Sequence, residues 1–62
     1  MNRKLKAKIF EVFGTQADFS LAVKVDETKI SKVVRGRRAL SEDEQKRWAG
    51  LLGANPVELF RG

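Results

Sequence analysis

Apolar residues recur along this chain at intervals of three and four, and no stretch alternates in the manner of a strand. Leu5, Ile9, Val12 and Phe13 form an i, i+4, i+7, i+8 stripe, with Phe10 beside it. Gly14 follows, where a helix readily stops in a left-handed conformation. The spacing predicts a first helix over about 4–13. Thr15 then serves as an N-cap, with Asp18 three residues on to complete a capping pair. Phe19, Ala22 and Val23 supply the inner face of a second helix over about 16–23. Asp26 is the next N-cap, and Ile30, Val33 and Val34 mark a third helix over about 27–34. Its β-branched residues have low helix propensity, so tertiary packing must hold it. Gly36 ends it, and residues 35–40, "RGRRAL", read as a basic loop.

Ser41 and Glu44 form an S-x-x-E capping box, with Glu42, Asp43 and Glu44 in the first turn, where the helix dipole favours carboxylates. Trp48, Ala49, Leu51 and Leu52 are the expected buried face of a fourth helix over about 42–52. Asn55, Pro56 and Glu58 repeat the start signal for a last helix over about 56–61, given apolar content by Val57, Leu59 and Phe60. The expectation is one all-α domain spanning residues 1–62, a bundle of five short helices.

Length and composition narrow this picture. A chain of 62 residues buries only about 60% of its unfolded surface. It holds no cysteine and no histidine, so disulfides and Cys/His zinc sites are ruled out, as are the commonest general bases and thiol nucleophiles. The acidic cluster Glu42–Glu44 is explained by helix-start chemistry and lacks the spaced ligands of a calcium loop. No enzyme activity, cofactor or metal is expected. The opening basic run resembles a signal peptide's, but Glu11 interrupts the apolar run "IFEVF" and nothing approaches a membrane span. The composition fits a reducing cytoplasm.

Charge adds direction. Residues 1–38 carry ten Lys/Arg against four Asp/Glu, or +6, and residues 39–62 carry three against four, or −1, together the net +5. A positive field confined to one part of the chain suits a polyanion partner, although charge alone also serves plain solubility. The third helix is the densest part. On a helical wheel Ile30, Val33 and Val34 share one side. Thr28, Ser31, Lys32 and Arg35 spread across the other, with Lys29 on a flank. Two short helices separated by Lys24, Val25 and Asp26 fit a helix-turn-helix, whose second helix enters the major groove.

At these residues the chain resembles a known family. "TQADFSLAVKVDETKISKVVRGRR" is similar to the helix-turn-helix of Cro and repressor-type proteins, the XRE family with a lambda-repressor-like fold. Gln16, Phe19, Val25, Ile30, Ser31, Gly36 and Arg38 stand at matching motif positions, and the likeness extends over roughly residues 3–61. Three positions depart. Ser20 replaces a small alanine, so its hydroxyl needs a partner if buried. Phe19 replaces a leucine. Lys24 replaces the turn glycine, which would be strained in a left-handed conformation.

The resemblance implies a bacterial or phage-type transcriptional regulator of repressor type that binds double-stranded DNA. It implies base reading by Glu27, Thr28, Ser31 and Lys32, and phosphate contacts by Gln16, Lys29, Arg35, Arg37 and Arg38. Glu27 has a second role open to it, stabilising the N-terminus of its helix. Arg3, Lys4 and Lys6 would add a basic arm or simply a solvated terminus. Relatives bind as dimers, for which Leu59 and Phe60 are candidates if they do not cap the core of their own chain. The competing reading is a protein-interaction module, such as an antitoxin-like subunit, on the same fold. It would favour exposed apolar residues on the third helix. Sequence-independent or RNA binding is disfavoured, because the few aromatics fall on core positions.

Overall fold

Each helix begins where a short polar side chain can take up a free backbone amide. The computed structural model describes residues 1–60, with α1 over Arg3–Phe13, α2 over Gln16–Val23, α3 over Glu27–Val34, α4 over Glu42–Leu51 and α5 over Pro56–Phe60. Thr15 Oγ1 accepts from the Asp18 amide (3.1 Å), Asp26 Oδ1 from Thr28 (3.2 Å) and Asn55 Oδ1 from Val57 (2.9 Å). Ser41 and Glu44 form the full reciprocal box. At Thr15 only the first half is made, since the Asp18 side chain does not bond back. The described residues are helical or irregular, without strands. The expected continuation of α5 to Arg61 lies outside the described residues.

Sequence periodicity passed over the first cap. Asn2 Oδ1 accepts from the Leu5 amide (3.0 Å), its Nδ2 donates to the Leu59 carbonyl (2.6 Å), and its backbone amide donates to the Val34 carbonyl (2.7 Å). One residue therefore fastens the start of α1 to the ends of α3 and α5. Residues 3–6 belong to α1 and do not form a separate arm.

The core is built from one narrow stripe per helix. Leu5 and Ile9 of α1, Phe19 and Val23 of α2, and Ile30 of α3 are fully enclosed, and Trp48 and Leu52 nearly so. Phe13 and Trp48 flank Phe19, with ring centroids at 5.2 and 5.3 Å, the second pair edge-on at 85°. The leucine-to-phenylalanine departure is thus absorbed within an aromatic row. Three residues expected inside are exposed: Val12, Ala22 and Leu51. Each sits at the edge of its stripe, and a domain this small lacks the neighbours to cover a wide one. Leu40, read as part of the loop, is buried instead. Its place directly before the Ser41 cap is one from which an apolar side chain packs back onto a helix.

Helix endings explain the strained turn. Gly14, Gly36 and Gly53 all take positive φ, and among the described residues Lys24 is the one non-glycine that does (φ 58°, ψ 43°). The Val25 amide donates to the Ser20 carbonyl (3.2 Å) across this stop. The Arg47 guanidinium adds a bond to the Val23 carbonyl (2.6 Å), placing a cation at the negative end of α2. Lys24 therefore carries the left-handed penalty of about 1–2 kcal/mol. Glycine removes that strain but frees the unfolded chain, so Lys24→Gly is expected to stabilise by about 0.5–1 kcal/mol. A thermal melt should rise by a few degrees; a fall would show that the surrounding bonds relieve the strain already. Ser20, the other departure, is half-buried, and its hydroxyl donates to the Ala17 carbonyl (2.6 Å).

Candidate nucleic-acid interface

Two helix starts open onto one surface. Gln16, the first residue of α2, lines a shallow, open depression of about 440 Å³ with Asp26, Glu27, Thr28, Ser31, Lys32 and Arg35. This groups six of the nine residues that the sequence nominates. Asp26 caps α3 inside it and leaves the outward turn to Glu27 and Thr28. Thr28, Lys32 and Arg35 are exposed, and Ser31 is half-buried. Ile30, Val33 and Val34 point the other way into the core. Charge and core thus occupy opposite faces of α3, as the wheel predicts.

The basic loop leaves this surface with a defined geometry. Arg35 is the C-cap of α3, and Gly36 turns the chain at φ 80°. The Gly36 amide donates to the Val33 carbonyl (3.1 Å) and the Arg37 amide to the Lys32 carbonyl (2.9 Å). That pair of bonds is the Schellman arrangement, which satisfies the last carbonyls of a helix. The backbone of Arg37 is therefore tied to that of Lys32. Arg37 and Arg38 are both exposed beyond it.

Lys29 departs from the expected pattern. Its ammonium bonds Glu44 Oε2 at 2.7 Å, with the lysine and glutamate side chains 24% and 35% exposed. It is committed to α4 and does not stand free beside Lys32 and Arg35. The Lys29 ammonium, together with the Ser41 amide, holds the Glu44 carboxyl below the usual carboxylate range. A lowered folded value means that this group stabilises the fold above its ordinary pKa. That contribution fades as pH drops through the lowered value.

Glu27 is exposed, and among the described residues its carboxylate has neither a hydrogen-bond nor an ion-pair partner, so it lines the depression as a negative group. Leu59 is buried in the core of its own chain and Phe60 packs half-buried against that core, leaving Val57 as the well-exposed apolar residue of α5. Among the described residues, no group of three or more acidic side chains could hold a metal ion. No helix among them is long and apolar enough to cross a membrane. Sequence reasoning missed Arg47, Asn2 and the Lys29–Glu44 pair. Each acts across a long stretch of chain, and only Asn2, a good capping residue ahead of a periodic run, left a local signal. Comparison of the chain with protein-family models, curated proteins and solved structures finds no match.

Proposed function

We propose that the protein binds double-stranded DNA in a sequence-dependent way and acts as a transcriptional regulator of repressor type. On this reading α2 and α3 are a helix-turn-helix within a lambda-repressor-like fold of the XRE kind. The single observation that carries the proposal is the shared open surface of Gln16, Asp26, Glu27, Thr28, Ser31, Lys32 and Arg35, with Arg37 and Arg38 exposed in the loop that follows α3. Its side chains are polar, with the cations Lys32 and Arg35 beside the carboxylates of Asp26 and Glu27, and suit base edges and phosphates. Lys32 would donate to guanine O6 and N7, Thr28 would meet a thymine methyl, and Glu27 would accept from cytosine N4. Arg35, Arg37 and Arg38 would fix register on phosphates, with Gln16 adding a neutral contact. Lys29, paired with Glu44, drops out of the phosphate set.

A homodimer on two half-sites belongs to the same proposal. With Leu59 enclosed, its C-terminal contact would rest on Val57 and Phe60. The alternative of a protein-docking module draws support from Leu21, which is 78% exposed. That residue lies on α2 and is not among those lining the depression.

Selection from a random duplex pool at physiological salt tests the proposal. Recovery of an inverted repeat supports it, and no enrichment sinks it in favour of the docking module. On the recovered site, Lys32→Ala is expected to cost roughly 1–3 kcal/mol and relax preference at one base pair. Arg37→Ala should weaken every duplex about equally. Identical behaviour of the two variants across duplexes would refute this division of roles.

A further inference from the structure

The helices α3 and α4 are joined in sequence by the basic loop, yet no Cα of one lies within 8 Å of a Cα of the other. The gap is spanned by a pair of side chains, Lys29 Nζ to Glu44 Oε2 at 2.7 Å. The same carboxylate uses its other oxygen, Oε1, to accept from the Ser41 amide and from the Ser41 hydroxyl, each at 3.2 Å. The Gln45 side chain then donates to the Leu40 carbonyl (3.1 Å), and Leu40 itself is buried. The loop is thus fixed at its start by the Arg37–Lys32 backbone bond and at its end by Glu44 and Gln45. Arg37 stands at the first anchor, and Arg38 lies between it and the second. A helix start needs only the Ser41 half of this arrangement. The second oxygen does something that capping does not require.

We infer that Glu44 is a positioning residue for the cationic surface. Through Lys29 it sets how α3 stands relative to α4, and through Ser41 it fixes where the basic loop ends. This inference rests on the DNA-binding reading for its functional meaning, though not for its structural part. It has a second consequence. Glu44 keeps one cation out of the phosphate-facing set, so less of the binding is sequence-independent attraction.

Two variants separate the roles of this carboxylate. Glu44→Gln keeps a residue that completes the capping box but loses the charge that holds Lys29. Lys29→Met removes the cation and leaves the cap intact. In the free protein, both should speed amide exchange at Arg37 and Val34, while Lys29→Arg should not. On DNA, both should lower the affinity ratio of the selected site over a scrambled duplex by about two- to fivefold, the range of a partly exposed ion pair. Glu44→Gln should also steepen the salt dependence by about 0.9 in log–log slope, because it releases Lys29 to phosphate.

Unchanged exchange in both variants overturns the inference whether or not DNA binds. Lys29→Met that flattens the salt slope by about 0.9 with preference intact also overturns it, by making Lys29 a phosphate contact. A wild-type protein without sequence preference, whose two variants still show faster exchange, upholds the positioning role and sinks the DNA reading instead.

Discussion

Trp48→Ala is expected to unfold much of the protein at room temperature. Trp48 is 1% exposed and meets Phe19 edge-on, and Phe19 in turn carries Phe13. Truncating a buried tryptophan costs about 3–5 kcal/mol, through lost burial and the cavity left behind. A domain of this length has a total stability of roughly 3–9 kcal/mol. The loss is therefore comparable to the whole. The Phe13–Phe19–Trp48 row also spans α1, α2 and α4, so its removal loosens three helices together. Far-UV circular dichroism during urea titration reads the effect. Trp48→Phe keeps a ring against Phe19 and should retain the fold and any DNA affinity.

The second large effect concerns salt. Five phosphate contacts per subunit, the number nominated from the sequence, would give a log–log slope near −4.5. That number needs revision, since Gln16 is neutral and Lys29 is held by Glu44. Arg35, Arg37 and Arg38 remain, three charges, and the slope becomes about −2.7. Raising monovalent salt from about 50 to about 200 mM should then weaken binding roughly 40-fold per subunit. Fluorescence anisotropy of a labelled duplex measures this directly. A flat response would remove phosphate contacts from the account, and the DNA reading with them. A slope near −3.6 would indicate that Lys29 leaves Glu44 when DNA arrives.

The helix starts were legible because capping is local. Thr15, Asp26, Ser41 and Asn55 each bond an amide two or three residues ahead, and that spacing is written in the chain. The phase of α3 was legible for the same reason, and so was the division between its apolar and cationic faces. The ties between elements were not. Arg47 reaches a carbonyl 24 positions away and Lys29 a carboxylate 15 away, distances at which no periodicity reports. Stripe width was also illegible. Whether Val12 or Leu51 is covered depends on which neighbours arrive, and spacing along one helix does not contain that information. That Thr28, Lys32 and Arg35 share an exposed face of α3 was thus legible, while the pairing of Lys29 with Glu44 required the tertiary structure.

The Asn2 clasp has a meaning in time as well as in space. Its bond to Leu59 closes a separation of 57 positions, whereas the helices between them join largely through neighbours in sequence. Closing the longest loop carries the largest entropy loss, so this contact is expected to form after the bundle has assembled. Interactions made late leave the folding rate almost untouched and slow unfolding. Asn2 would then act as a latch on the native state, and stopped-flow on Asn2→Ala should show faster unfolding with folding little changed. Slower folding in that variant would mean that the two distant stretches meet early, and that the domain closes as a ring before its middle is complete.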